Sequence, residues 1–238
     1  MSAQPEVKEE SITDSYLYRL SQAVPTIGYK SFSRWDEARR TGADWEWWFL
    51  LPGRALRLRA QAKKLRVGRS IRADLMRRNK HGSQMAMLIK AARRDRAIPV
   101  YVLYSESALA KTSCGPGSAP VGVYVATAGA VKALVSSRPA LRDADVLAIS
   151  RAAACLPCCL LHRAQVDIKR NIAAWEAEFA AEQSDLFPDG YGWHAEIPSY
   201  VRELFPSLKG VTVAPSIPEG GAPDDIQAVM AVDLTHSG

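Results

Sequence analysis

Alternating apolar and polar residues in one short stretch of the chain predict a β-hairpin. The stretch, TGADWEWWFLLPGRALRLRAQAKKL, covers residues 41–65. Pro52 and Gly53 at its centre suit a tight turn, because proline fixes φ at the first position and glycine accepts a positive φ at the second. That turn places Asp44 opposite Gln61 at the far end of the hairpin. The other predicted pairs are Leu51 with Arg54, Phe49 with Leu56, Trp47 with Leu58, Trp45 with Ala60 and Glu46 with Arg59.

This register separates two faces of the hairpin, because side chains alternate between the two sides of a strand. One face is wholly apolar. The other carries Asp44, Glu46, Arg57, Arg59, Gln61 and Lys63. A polar face of this kind is also what an ordinary solvated hairpin presents, so any chemistry has to be argued from the residue types.

The patterns around the hairpin indicate an α/β protein. Residues 1–10 read as a loose tail, and a helix is expected from Ser11, where a capping box with Asp14 begins, to Pro25. Its inward stripe would be Ile12, Tyr16, Leu20 and Val24. The other expected elements, in chain order, are a strand in SFSRW, a helix in GSQMAMLIKAARRDRA capped by Ser83, a buried strand in IPVYVLYSES, a strand in VGVYVAT, a helix in AGAVKALVSS, a helix in RAQVDIKRNIAAWEAEFAAEQ and a terminal strand in AVMAVDL. Together they predict a mixed sheet flanked by helices.

The same patterns suggest how the chain is divided. Residues 11–150 are expected to form the core, and residues 151–238 a mainly helical extension packed on it. The extension contains a loop rich in proline and glycine, APSIPEGGAPDD. It can serve as a specificity element, as a dimer surface or as a cap on the sheet, and the sequence does not choose among them.

The polar end of the hairpin groups residues that can act on a phosphate. Asp44 and Glu46 supply carboxylates, Gln61 an amide and Lys63 an ammonium. Mg²⁺ takes oxygen ligands and keeps several waters, so one or two carboxylates with an amide suffice to hold it, with Mn²⁺ as the alternative ion. The ion lowers the pKa of a bound water and neutralises phosphoryl charge, and a lysine beside it can orient the attacking water.

Gly-Ala-Asp44 followed by Gln61-Ala-Lys63 at the end of the next strand resembles the PD-(D/E)xK nuclease superfamily, in the D…QxK branch typified by Mrr-like restriction endonucleases. With Gln84 and IPVYVLY downstream, about residues 9 to 126 also resemble an uncharacterised bacterial family of unknown function. The resemblance implies a restriction-endonuclease-like core and a metal-dependent phosphodiesterase acting on DNA. Bacterial restriction or phage defence is the implied setting, with a second copy of the chain or a companion defence protein as a partner.

The resemblance also implies roles for individual residues. Asp44 and Gln61 would serve the metal, and Lys63 would serve the water. Because glutamine stands where the superfamily usually has an acid, Glu46 would have to supply the missing charge. The superfamily often brings a further acid from the first helix, and Glu10 is the match here, although a glutamate at a helix start is commonly a partner of the helix dipole.

The distribution of charge favours a nucleic-acid partner. Residues 54–96 hold 15 basic residues and only two acids, a net charge of +13, so the rest of the chain carries −7 because the whole is +6. A concentrated basic surface suits a polyanion, since each neutralised phosphate releases counterions. The residues expected to bind nucleic acid are Lys64, Arg66, Arg69, Arg72, Arg77, Arg78, Lys80 and Gln84.

Two other functions stay open. One is a non-catalytic nucleic-acid-binding module that has kept a nuclease-like fold. The other is a structural protein that uses the hairpin tryptophans as a partner surface. Cleavage of plasmid, linear and single-stranded substrates, with magnesium and with chelator, separates these alternatives.

The cysteines and the remaining composition bear on cofactors and compartment. Cys155, Cys158, Cys159 and His162 could form half of a zinc site completed by Cys114, but they fit better as the buried face of a helix that begins at Pro157, so zinc is not expected. No apolar run approaches the roughly twenty residues that span a bilayer. The polar start, MSAQPEVKEE, is unlike a signal peptide, and we expect a cytoplasmic protein with free thiols.

Overall fold

A computed structural model describes residues 8–32, 42–65, 70–105, 122–150, 192–207, 212–213 and 226–235. Within these ranges the protein is a mixed α/β fold, built on one seven-stranded sheet that mixes parallel and antiparallel pairs. The helices are α1 Glu9–Ala23, α2 Arg72–Leu75, α3 Gln84–Arg94, α4 Ala128–Ser137, α5 Asp143–Ala148 and α6 Ser199–Arg202. The strands are β1 Ile27–Ser31, β2 Trp45–Leu51, β3 Arg54–Lys64, β4 Arg78–Asn79, β5 Gly82–Ser83, β6 Ile98–Tyr104, β7 Val123–Thr127, β8 Trp193–His194, β9 Glu196–Ile197, β10 Thr212–Val213 and β11 Ala228–Asp233.

The main sheet has the strand order β1-β11-β2-β3-β6-β7, and β8 pairs with the start of β3. Strand β11 runs parallel to β2 and antiparallel to β1, while β3 and β6 are parallel. The terminal strand expected in AVMAVDL is therefore an interior strand of the core sheet. This corrects the expected division of the chain, because the core includes residues far beyond position 150.

The hairpin of β2 and β3 has the register that the sequence predicts. Leu51 pairs with Arg54, Glu46 with Arg59 and Trp45 with Ala60. Gly53 closes the turn with a φ of 72°. Turn chemistry and side-chain alternation are both local properties, and here they agree.

Both faces of this hairpin are covered, so neither is solvated. Leu17 and Leu20 of α1 belong to the apolar cluster on one face, together with Trp45 and Trp47. On the other face, two further clusters pack against α3, α4 and α6. All seven residues of β2 are buried, including Trp48 at 1% exposure. The tryptophans of the hairpin therefore form core and not the partner surface considered above.

Helix α1 begins two residues before the expected start at Ser11. Its N-cap is Lys8, which makes no side-chain capping bond, so the expected capping box is absent. The buried positions of the helix are Thr13, Leu17 and Leu20, and Val24 is buried at its C-cap. The inward face is thus rotated from the predicted stripe, because Ile12 and Tyr16 are only partly buried.

The elements downstream of the hairpin largely match the sequence patterns. Ser83 caps α3 by accepting a hydrogen bond from the backbone N–H of Ala86, and every residue of β6 is buried. The helix expected in AGAVKALVSS is α4. The first strand of the described residues lies at Ile27–Ser31, so it includes Ser31 of the expected SFSRW, whose residues 33–35 lie outside the described ranges.

Several expectations lie outside the described residues. They are the helix at 163–183, the loop at 214–225 and the candidate zinc ligands Cys155, Cys158 and His162. Within the described part of the chain, no helix is both long and apolar enough to cross a membrane.

Candidate active site

A polar pocket of about 320 Å³ opens where β2 begins and β3 ends. The parallel partner of β3, strand β6, ends at the same edge of the sheet. The pocket therefore draws side chains from the first helix, the hairpin, the segment after it and the terminal strand. Its polar lining residues are Glu9, Thr13, Asp14, Asp44, Gln61, Lys63, Arg77, Asn79, Gln84 and Gln227.

Asp44 is fixed in this pocket by both its side chain and its backbone. Its Oδ2 atom accepts hydrogen bonds from Gln61 Nε2 at 2.7 Å and from the backbone N–H of Ala62 at 2.6 Å. Its own backbone N–H donates to the carbonyl of Ala60 at 2.8 Å, and its carbonyl accepts from the N–H of Gln227 at 2.9 Å. The Asp44 carboxylate is therefore held by neighbouring strands at the open end of the hairpin, opposite to its turn.

Lys63 is a buried lysine whose ammonium faces a carboxylate. Its side chain is 3% exposed, as is that of Gln61, and the two share one side of β3 because they are two residues apart. The Lys63 Nζ atom lies 3.5 Å from Glu9 Oε2. The other oxygen of Glu9 accepts a hydrogen bond from the backbone N–H of Lys64 at 2.9 Å. A buried charge requires such a partner, so Glu9 and Lys63 stabilise each other.

Glu9 is the acid that the first helix brings to the pocket. The sequence indicated its neighbour Glu10, whose side chain is not among the described parts of the structure. The available signal was helical periodicity, because Glu9 lies one turn before the buried Thr13 and two turns before the buried Leu17. The predicted stripe through Ile12 and Tyr16 pointed to a different face of the helix, so Glu9 was not selected.

Glu46 does not join this pocket, contrary to the expectation that it completes a metal site. It is fully buried and forms salt bridges with Arg57 and Arg59, the latter at 3.2 Å. It also accepts hydrogen bonds from Trp48 Nε1 at 3.0 Å and from the Tyr200 hydroxyl at 2.7 Å. Burial alone raises the pKa of Glu46, but the two guanidinium groups outweigh it and the pKa is lowered. Its oxygens are thus committed to a structural ion network.

The residues expected to bind nucleic acid lie in different parts of the structure. Arg77 and Gln84 line the pocket, while Arg78 and Lys80 are exposed close to them in sequence. Arg72 instead donates to backbone carbonyls at the end of α4, which gives it a structural role. Lys64 lines a separate apolar pocket with Tyr16 and Tyr104, and Arg66 and Arg69 lie outside the described residues.

Helix α3 packs directly against the segment that carries Asp44. Gly42 has a φ of 69°, and a Cβ atom there would lie 2.4 Å from the carbonyl oxygen of Gln84. Only glycine permits this approach. Gln84 lines the pocket, and its Oε1 atom is buried with no hydrogen-bond partner within the described ranges.

The donor atoms of the pocket suit a hard cation. The described residues contain no cluster of three or more His, Cys, Asp and Glu side chains that could hold a metal. The oxygen donors at the pocket include the carboxylates of Glu9, Asp14 and Asp44 and the amide of Gln61, and oxygen is the donor type that Mg²⁺ takes while retaining waters. The Gln61 side chain directs its amide nitrogen towards Asp44. A 180° rotation of the amide group would direct the amide oxygen there instead.

A family model described as a family of unknown function, DUF6615, matches residues 2–230. The chain belongs to this family. No curated protein and no solved structure gives a significant match to it. The DUF6615 match includes every residue of the pocket, from Glu9 to Ala228.

Proposed function

We propose that this DUF6615 protein is a magnesium-dependent nuclease with a restriction-endonuclease-like core, and that it hydrolyses phosphodiester bonds in DNA. One observation carries the proposal: Lys63 is 3% exposed, yet its ammonium lines an open polar pocket beside the hydrogen-bonded pair of Asp44 and Gln61. A lysine on an ordinary solvated hairpin would extend into water and would not be buried.

The chain's own residues take complementary roles in this proposal. Glu9, Asp44 and Gln61 would hold Mg²⁺ or Mn²⁺, which would supply a coordinated water of lowered pKa and neutralise phosphoryl charge. Lys63 orients the attacking water and stabilises the negative charge that grows on the phosphate. In the hydrolysis, the oxygen of a water forms the new bond to phosphorus and the bond from phosphorus to the leaving sugar oxygen breaks. The water gives up one proton and the leaving oxygen takes up one, so the step balances.

Basic side chains at the pocket support a nucleic-acid substrate. Arg77 lines the pocket with Asn79, and Arg78 and Lys80 are exposed beside them. These positive charges lie where a backbone entering the pocket would carry its phosphates. The choice of DNA, and a setting in bacterial restriction or phage defence, rest on the resemblance to Mrr-like endonucleases.

A cleavage assay tests the proposal. Plasmid, linear duplex, single-stranded DNA and RNA would each be incubated with the purified protein in Mg²⁺, in Mn²⁺ and in chelator. We expect divalent-dependent cleavage of DNA that disappears in chelator and in the Asp44→Ala variant, because the remaining ligands carry too little charge. Cleavage that persists in excess chelator would contradict the mechanism.

Binding is measured separately from cleavage. Replacing Arg77 and Arg78 together with alanine should weaken DNA binding and flatten its dependence on salt, because fewer counterions are released. The requirement for a divalent ion should stay unchanged. Unaltered affinity and salt slope would place the DNA surface elsewhere.

A non-catalytic nucleic-acid-binding module is the second candidate. The neutral Gln61, at a position where the resembling nucleases usually have an acid, favours it because it lowers the charge available to hold a cation. This candidate predicts that DNA binds without any divalent ion, and that no substrate is cut in Mg²⁺ or in chelator.

A further inference from the structure

The hydroxyl of Tyr101 is a buried polar group on the face of the sheet that carries the Asp44–Gln61 pair. Tyr101 is 0% exposed, and its Oη atom has no hydrogen-bond partner among the described residues. Strand β6 pairs with β3 so that Tyr101 lies next to Gln61, whose amide donates to Asp44. Paired residues of neighbouring strands share a side of the sheet, so the tyrosine and the Asp44–Gln61 pair lie on one face.

Electrostatics connects this hydroxyl to Asp44. Burial is the main cause that raises the pKa of Tyr101, and the negative charge of Asp44 raises it further. A tyrosine hydroxyl carries a proton at neutral pH, so that of Tyr101 can donate a hydrogen bond towards the carboxylate. A phenylalanine would fill the same core position without burying a polar atom.

The Oε1 atom of Gln84 points independently to a ligand at this site. It lines the same pocket as Asp44 and is also buried without a partner. Buried polar groups in folded proteins are nearly always hydrogen-bonded, to protein or to ordered water. An ordered water can therefore serve as the partner of each of these two polar atoms.

We propose that Tyr101 is a positioning residue of the cation site, whose hydroxyl donates through one ordered water to the carboxylate of Asp44. The hydrogen bond fixes the orientation in which Asp44 meets the cation, as residues behind metal ligands commonly do. Tyr101 touches neither substrate nor cation in this arrangement. The inference rests on the proposed function, since it assumes that Asp44 binds a divalent ion.

The test compares Tyr101→Phe with Tyr124→Phe. Tyr124 is a matched control, because it is 1% exposed, its hydroxyl has no hydrogen-bond partner in the described part of the chain, and its pKa is raised by burial. Binding of Mg²⁺ and of Mn²⁺ would be measured by calorimetric titration without nucleic acid, and each protein would be melted with and without the ion. We expect Tyr124→Phe to match the parent, and Tyr101→Phe to bind the ion about tenfold more weakly with a smaller rise in melting temperature.

The other outcomes are distinct. Parent-like ion affinity in Tyr101→Phe would overturn the inference and leave Tyr101 as a core residue. Equal weakening in both variants would also overturn it, because the effect would then come from core packing. A parent protein that binds neither ion would refute the metal site itself, and the inference with it.

Discussion

The ammonium of Lys63 lies 3.5 Å from the carboxylate of Glu9, so the end of β3 is joined to the first residue of α1. The backbone N–H of Lys64 reinforces the contact by donating to the other Glu9 oxygen at 2.9 Å. The Glu9 carboxylate approaches the pocket from the side of the hairpin opposite to α3. It lies next to Lys63, the only lysine among the described residues that line the pocket.

Glu9→Gln should impair cleavage, because the variant keeps the shape of the side chain but removes a negative charge from the proposed cation site. We expect the rate to fall by roughly tenfold or more and the Mg²⁺ concentration for half-maximal rate to rise. Glu10→Gln is the control and should stay close to the parent. Kinetics in which Glu10→Gln is the impaired variant would show that the wrong glutamate has been assigned.

Lys63→Met should lower kcat while leaving DNA affinity nearly unchanged. Methionine replaces the buried stem of the lysine but cannot stabilise the charge of the transition state, so we expect a loss of roughly a hundredfold. Lys64→Met serves as the control, since Lys64 lines the separate apolar pocket. Single-turnover rates and binding isotherms measure the two effects, with thermal melts to show that both variants fold. Equal rates for the two variants would contradict the role of Lys63.

Gln61→Glu should retain cation binding and measurable cleavage, because a carboxylate is a stronger ligand than an amide. Without the ion the variant should be less stable than the parent. It loses the 2.7 Å hydrogen bond from Gln61 to Asp44 and places two like charges together. Melting temperatures in chelator and in Mg²⁺ test this, and the ion should raise the melting temperature of the variant by more than that of the parent. A smaller rise in the variant would argue against a cation between the two side chains.

Gly42→Ala should disturb the pocket more than Gly53→Ala. Both glycines have positive φ, but a Cβ at Gly42 would meet the carbonyl oxygen of Gln84 at 2.4 Å, whereas nothing lies within 4 Å of a Cβ at Gly53. We expect Gly53→Ala to cost about 1 kcal/mol through backbone strain alone, and Gly42→Ala to cost more because α3 must shift. Urea unfolding gives both values. Similar losses would mean that α3 yields easily.

The free energy of unfolding should fall as the solution becomes acidic. Burial, followed by the charge of Arg57, lowers the pKa of His194 from 6.5, and the guanidinium groups around Glu46 lower its pKa from 4.5. Each group has a lower pKa in the folded state than in the unfolded state. Its contribution is therefore present above the unfolded pKa and is lost as pH falls through the folded pKa.

His194 and Glu46 affect the free energy of unfolding over different pH ranges. His194 acts from about pH 6.5 downward, and Glu46 acts below about pH 4.5. His194→Gln should flatten the decline between pH 7 and pH 5 that urea titrations measure in the parent, roughly over the range in which a free histidine titrates. An unchanged slope in that interval would show that His194 does not carry the first part of the decline.

Local features of the sequence predicted the hairpin and its end. The period of two along a strand and the Pro52-Gly53 turn are independent signals that fix the same register, and this places Asp44 beside Gln61 and Lys63 on one side of β3. The same reasoning could not separate Glu46 from Asp44. They lie two residues apart on the same face, and only tertiary partners distinguish them.

Those partners come from parts of the chain where the sequence pattern was uninformative. The Tyr200 hydroxyl of α6 donates to Glu46 at 2.7 Å, and Asp95 lies 2.9 Å from Arg59 in the same network. Neither contact has a local signature. The selection of Glu9 likewise depended on the rotation of α1 about its axis, which the packing of Leu17 and Leu20 against the sheet determines.

Strand β11 determines when, during synthesis of the chain, the pocket can form. The backbone N–H of Gln227 donates to the carbonyl of Asp44, and β11 fills the gap between β1 and β2. While a nascent chain is still growing on the ribosome, β2 has no neighbour on that side until residues 228–233 emerge. Pairing across so long a stretch of sequence is slow, because the entropy of closing a large loop is lost before any stabilising contact forms. The pocket around Asp44 is therefore completed only after residues 228–233 have been synthesised, and a chain translated only as far as the hairpin carries the side chains of the proposed site without their arrangement.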